Sequence, residues 1–288
     1  MDDSVGSEIP SGCILERPKV IHNPLTKKFV MWFHLEPRGG DYGGARSAVA
    51  IADTPAGPYQ FLHSLRPNAG LWPENVPNDW KRHLTNKEHH ELATLELGGA
   101  PFPWYPKDIV FRRDFKDGQM ARDMTLFVDD DGTAYQFYAS ENNATMHVSQ
   151  LTDDYLKPAG KYARIFIGRS TEAPAVFKRG GKYYLIGSGC TGWQPNAARV
   201  AVADNIFGPW KELGNPCQGA DADKTYFCQS AYVLPVAGQT NQFIALFDRW
   251  SQWDLENSRY VWLPLEFSAD GKPTLRWQDH WSLPAAKE

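Results

Sequence analysis

The sequence predicts an all-β chain built from repeated four-strand units, and three observations predict it. First, a strand–turn–strand pattern recurs in register: "ERPKVIHNPLTKKFVMWFH" from Glu16, "DMTLFVDDDGTAYQFYAS" from Asp123, "EAPAVFKRGGKYYLIGSG" from Glu172 and "QSAYVLPVAGQTNQFIALF" from Gln229. Each copy opens on a carboxylate or amide and enters an apolar run. It then turns through Asn-Pro, Asp-Gly, Gly-Gly or Ala-Gly and resumes as an aromatic or β-branched strand, a hairpin signature. Second, "SAVAIADTPAGPYQF" (47–61) and "ARVAVADNIFGPWKE" (198–212) share an alternating strand, an Ala-Asp turn and Gly-Pro-aromatic. Third, no long segment carries a convincing helical period.

Taken in order, the first unit lies near 14–62. Residues 63–119 form an insertion whose best helical stretch is "NDWKRHLTNKEHHELATLEL". The second unit lies near 120–167, with "MHVSQLTDDYLKPAG" as a looser second half. The third lies near 169–214, and the fourth near 226–282, ending on "YVWLPLEFSADGKPTLRWQ". Four short strands per unit make a β-propeller blade, so the chain reads as one propeller domain over 1–288. In that architecture the innermost strand of each blade runs along a shared axis, and residues at equal phase converge at one mouth. Glu16, Asp123, Glu172 and Gln229 hold that phase.

Composition bounds the function. With 288 residues, 42% of them apolar, the chain is long enough for a sizeable core, and no run approaches the ~20 apolar residues of a membrane helix. A net charge of −4 without Lys/Arg clusters argues against nucleic acid as a partner. Aromatics reach 13%, with 11 Trp and 12 Tyr, which fits a β-rich core or a site where flat rings cover sugar faces. Cys13, Cys190, Cys217 and Cys228 lack CxxC spacing, so zinc is not expected. Cys217 and Cys228 would close a small loop in an oxidising compartment or remain thiols. His63, His83, His89 and His90 invite a metal reading against that of a solvated loop or surface helix. A propeller axis has room for calcium, but "DDDG" reads as a hairpin turn, and neither metal nor other cofactor is expected. The stretch "MDDSVGSEIPSGC" is no basic-then-apolar leader.

At "ERPKVIHN", "YGGARSAVAIAD", "ARDMTLFVDDDGTAYQFYASENN", "EAPAVFKRGGKYYLIGSGCTGWQPN", "FCQSAYVLP" and "SRYVWLPLEF" the chain resembles glycoside hydrolase family 43, nearest its exo-β-1,3-galactanase branch. The resemblance implies a five-bladed propeller, of which four blades are visible here. The missing first blade would precede Glu16, and truncation is the expected cause. It also implies a secreted or periplasmic glycosidase acting on galactan or arabinogalactan side chains, with α-L-arabinofuranosides or β-xylosides as the alternative substrates. Hydrolysis would be inverting, which sets acid and base about 6.5–9.5 Å apart with water between them.

The same resemblance implies the roles. Glu172 matches the general acid, its pKa raised by burial and neighbouring carboxylates. Asp123 matches the residue that orients and tunes that acid, with Arg122 as an ion-pair partner or a structural bridge. Glu16 matches an acidic residue that binds sugar hydroxyls, and is the fallback base. Gln229 takes the place of the base, although an ordinary amide positions water only through its carbonyl oxygen. Tyr42, Asn142, Asn143, Thr191 and Trp193 are expected to line the pocket, with Arg249, Trp250 and Arg259 at its rim. A non-catalytic sugar-binding propeller is the competing class. A protein-interaction propeller would not place acids in phase.

Overall fold

The computed structural model describes residues 1–96 and 110–283. They form two compact units, Met1–Ser170 and Thr171–Glu288. The chain is all-β, and each unit contains two sheets whose neighbouring strands are antiparallel and consecutive in the chain, save for one parallel edge pair in the second unit.

In the first unit, one sheet consists of β1 (Ile14–His22), β2 (Phe29–Glu36), β3 (Arg46–Ala52) and β4 (Gln60–Leu65). The other consists of β5 (Met124–Val128), β6 (Ala134–Ser140), β7 (Thr145–Leu151) and β8 (Pro158–Ile165). The edge strands β1 and β5 lie side by side. Between the sheets, Trp32, Val49, Met124, Leu126 and Tyr138 pack as a core with almost no exposure. The turn into β2 is set by Asn23, fully buried, whose Oδ1 accepts from the Leu25 and Thr26 amides at 2.9 and 2.8 Å. The insertion carries α1 (Asn86–Glu96) and the short α2 (Val110–Arg113). Helix α1 starts on a capping box: the Thr85 amide donates to Glu88 Oε2 at 2.8 Å, and the Glu88 amide donates to Thr85 Oγ1 at 3.3 Å.

In the second unit, β9 (Thr171–Arg179), β10 (Lys182–Gly189), β11 (Arg199–Ala203) and β12 (Lys211–Gly214) form one sheet. Strand β13 (Cys217–Gln218) runs parallel to β17 (Pro273–Arg276), completing a five-stranded sheet with β14 (Gln229–Pro235), β15 (Phe243–Arg249) and β16 (Arg259–Phe267). The β9–β10 turn is the pair Gly180-Gly181, both at positive φ (57° and 76°), the two-residue hairpin geometry that asks for glycine. Here β9 lies beside β14, and Phe177, Tyr184, Val233, Phe243, Ala245 and Leu263 fill the core. The opposite face of the last sheet carries a cross-strand row, Tyr232–Leu246–Trp262, with Tyr232 and Trp262 38% and 53% exposed. All four cysteines are free thiols, Cys217 and Cys228 included. Among the described residues no group of three or more His, Cys, Asp or Glu is placed to hold a metal ion; the His90 side chain lies outside the described ones.

Candidate active site

Each edge strand is irregular where its polar residue stands. In β9, Ala173 and Pro174 together oppose the single residue Gly187, so that Glu172 pairs with Ser188 and Ala175 with Ile186. In β1, Arg17 and Pro18 oppose Phe33. In β14, Ala231 is the extra residue between Ser230 and Tyr232. Ahead of β5, the Arg122 amide donates to the Ala139 carbonyl while the Ala139 amide donates to that of Asp123, so two residues share one partner. These are β-bulges, which re-aim side chains at the end of a strand. Strict alternation would put Glu172 and Val176 on one face. The bulge separates them: Val176 is 3% exposed in the sheet interior, and Glu172 shares the opposite face with Ser188. Ala173 and Arg17 adopt the left-handed conformation (φ 51° and 53°), each followed by a proline. At Gly187 a Cβ would come within 2.9 Å of the Glu172 carbonyl oxygen, so the bulge requires glycine there.

Around Gln229 the second unit forms a cleft of about 180 Å³ lined by Ser188, Trp193, Asn196, Cys228, Gln229 and Trp250, among others. Both ends of the amide are held. Its Nε2 donates to Ser188 Oγ at 2.9 Å, and its Oε1 accepts from Trp250 Nε1 at 3.1 Å. Trp193 and Trp250 meet edge to face at 6.1 Å, roughly half exposed, and present ring surface at the mouth. Thr191 lies just outside: its hydroxyl donates to the Gln194 carbonyl at 2.6 Å and accepts from Asn196 Nδ2 at 2.7 Å. Asn196 also exchanges hydrogen bonds with the Gly189 backbone at 2.7 and 3.1 Å, fixing the loop that carries Trp193. Arg249 turns away, donating to the Tyr226 carbonyl at 2.6 Å and lying over the Trp277 ring at 5.0 Å. Arg259, opposite Arg249 across the ladder, donates to the Asn257 carbonyl at 2.7 Å and lines neither cleft described for this unit.

In the first unit, Glu16 is at the centre of a chain of polar groups. Its Oε2 meets His34 Nδ1 at 3.0 Å, and its Oε1 accepts from the Tyr42 hydroxyl at 3.0 Å. The other ring nitrogen of His34 meets Glu36 Oε1 at 2.8 Å, and the Ala45 amide donates to both Glu36 oxygens at 3.0 Å. Burial alone would lower the His34 pKa, but its two carboxylate partners outweigh burial and raise it. For Glu36, desolvation opposes the charge, yet the His34 bond and the Ala45 amide hold its pKa below the ordinary value. Desolvation and the Glu16 charge push Tyr42 up to about 12. Asp123 is ion-paired with Arg17, Nε to Oδ2 3.2 Å. Arg122 donates to the Tyr42 carbonyl at 2.5 Å, and its charge also helps to lower the pKa of Glu36.

Asn142 and Asn143 occupy the β6–β7 turn at φ 58° and 67°, a conformation asparagine tolerates, so the backbone accounts for their type. Beside them Glu141, fully buried, accepts from Arg164 Nε and Nη2 at 2.6 and 2.8 Å and meets His147 Nε2 at 2.8 Å.

His34, Glu36, Ser188 and Asn196 are the polar residues that the repeat pattern does not single out. His34 and Glu36 did leave a signal: two polar residues, two apart, inside the otherwise apolar "FVMWFHLE".

The family model described as glycosyl hydrolases family 43 matches residues 100–273. The chain is 49% identical to a family 43 β-1,3-galactosidase solved with galactodeoxynojirimycin, covering 98% of this chain and 81% of that one, at a TM-score of 0.89. An exo-β-1,3-galactanase from Clostridium thermocellum is 34% identical over 91% of this chain and 49% of its own (TM-score 0.71). The exo-β-1,3-galactanase of Phanerochaete chrysosporium, solved with β-1,3-galactotriose, is 30% identical over 94% of this chain and 50% of its own (TM-score 0.70). No curated protein matches the chain.

Proposed function

The chain belongs to the glycosyl hydrolases family 43, and from that premise we propose that it is an exo-acting, inverting hydrolase of β-1,3-galactan or arabinogalactan side chains. The observation that carries the substrate is 49% identity, over nearly the whole chain, to a β-1,3-galactosidase. Glu172 gives its proton to the leaving oxygen as the glycosidic C–O bond breaks. The Gln229 carbonyl oxygen positions the water that attacks the anomeric carbon, and the proton this water sheds passes to solvent, from which Glu172 is reprotonated. Asp123 orients and tunes the acid, Glu16 accepts sugar hydroxyls, and Trp193 and Trp250 stack on the C–H face of the sugar. The bulge that turns Glu172 toward Ser188, and the two-sided anchoring of Gln229, support these roles. His34 and the Tyr42 hydroxyl keep Glu16 in place. A fifth blade is part of the proposal, supported by the Tyr232–Leu246–Trp262 row, which is partly exposed among the described residues and offers apolar surface for another sheet.

The test is hydrolysis of β-1,3-galactobiose and of aryl β-galactoside, α-L-arabinofuranoside and β-xyloside, with the product anomer read by NMR. We expect galactosides alone to be cleaved, with inversion. Glu172→Gln should lose about 10²–10⁴-fold in kcat on galactobiose. Binding of galactan oligosaccharides without cleavage of any substrate would favour the sugar-binding propeller instead.

A further inference from the structure

A second, larger cleft of about 380 Å³ lies in the same unit, lined by Gln218, Asp221, Tyr226, Phe227, Arg249, Arg276 and Trp277 among others. Phe227, 46% exposed, also lines the cleft at Gln229 and so forms a wall common to both. The backbone that raises it is strained, with Thr225, Tyr226 and Phe227 consecutively left-handed at φ 50°, 55° and 60°. Non-glycine residues persist in that region only where their surroundings hold them, and such strain gathers at functional sites. The surroundings here do hold them. The Tyr226 hydroxyl lies 2.8 Å from both the Gln218 and Leu275 carbonyl oxygens, which share its one proton, Thr225 Oγ1 donates to the Asn196 carbonyl at 2.7 Å, and Arg249 donates to the Tyr226 carbonyl.

The chemistry of this cleft differs from that of its neighbour. Trp277 is 41% exposed, with its indole N–H tied to Asp279 at 2.8 Å. The Arg249 guanidinium lies over one face of its ring at 5.0 Å, which leaves the other face for a ligand, and Arg276 shares the lining. The acid in the lining, Asp221, is met by Lys224 at 3.6 Å. An aromatic face next to an excess of guanidinium charge suits a sugar ring that bears a carboxylate.

We propose that this cleft is a subsite for a uronic acid unit of the polysaccharide, separated by Phe227 from the sugar in the first cleft. The proposal deepens the galactan-hydrolase reading and rests on it for the chain that bears the acidic unit. The test uses β-1,3-galactotriose carrying one glucuronic acid branch, and the same compound with its carboxyl reduced to the alcohol. Binding to the Glu172→Gln protein is measured by calorimetry, and hydrolysis of unbranched galactotriose by wild type is measured separately. The carboxylate form should bind about tenfold more tightly than the reduced form. Arg276→Gln should remove that preference and leave hydrolysis of unbranched galactotriose unchanged. Trp277→Ala should weaken both forms alike. Equal binding of the two forms, or a preference that survives Arg276→Gln, overturns the subsite. A carboxylate preference in a protein that does not cleave galactotriose supports the subsite and overturns the activity alone.

Discussion

At the scale of single residues, the amide of Gln229 is held at both ends. Its nitrogen is committed to Ser188 and its oxygen to the Trp250 indole, so the side chain cannot flip without losing both bonds. A water-positioning amide needs that orientation, because only its oxygen accepts. Trp250→Phe keeps the ring and deletes the donor. We expect kcat on galactobiose to fall about tenfold, a loss of about 1–2 kcal/mol for one hydrogen bond, with KM nearly unchanged. A rise in KM at constant kcat would assign Trp250 to sugar stacking alone. Gln229, which lines the cleft, was legible in the sequence because it stands at the front of a repeated strand, the position Glu172 holds in its own copy. Ser188 was not, because it lies at the far end of "KYYLIGSG", where a small polar residue also fits a turn.

At the scale of elements, the bulge separates the acid from the hydrophobic phase of its own strand. Reading "EAPAVF" as a simple strand puts Glu172 in phase with Val176, and only the doubled residues opposite Gly187 resolve that conflict. The sequence carried a trace of it: Glu-Arg-Pro at 16–18 and Glu-Ala-Pro at 172–174 place a proline, which cannot donate to the ladder, just past each acid. Deleting Ala173 removes the extra residue and turns Glu172 to the other face. The expected outcome is activity reduced to that of Glu172→Gln, with a near-UV circular dichroism spectrum that still shows a packed aromatic core. Activity close to wild type in the deletion variant would show that the bulge does not aim the acid. Helix α1 falls within the stretch 78–97 that the sequence offers as its best helical candidate, and the Thr85–Glu88 capping box fixes where it starts.

At the scale of the whole molecule, the all-β class and the repeated sheets followed from local pattern, because hairpin turns and alternation are written in adjacent residues. The partnerships between distant strands were not legible. Glu141 sits in "SENN", a stretch that reads as pocket lining, but it is buried against Arg164 and His147 in other strands. This ion cluster makes stability depend on pH. Burial keeps His147 below its ordinary pKa, so the unfolded chain gains a proton as pH falls through about 6.5 while the folded one does not. For Glu141 desolvation opposes the charge, but Arg164 and His147 outweigh it and hold the carboxyl well below its usual range, which adds loss below about 4.5. His34, raised in the fold, contributes in the opposite sense, its stabilisation fading as pH rises through its folded value. Melting temperature should therefore fall from pH 7 to pH 4, and His147→Asn should flatten the upper part of that fall. Arg164→Met should cost about 3–5 kcal/mol by leaving the buried Glu141 without its guanidinium partner. A melting temperature that stays constant across this range would contradict the account.

The edge-to-face pair of Trp193 and Trp250 has a spectroscopic consequence. Two indoles 6.1 Å apart, one bonded to Gln229 and both open to solvent at a cleft mouth, form a native fluorophore whose surroundings change when that mouth is covered. Occupancy of the cleft can then be followed through intrinsic emission, with no label attached to protein or saccharide.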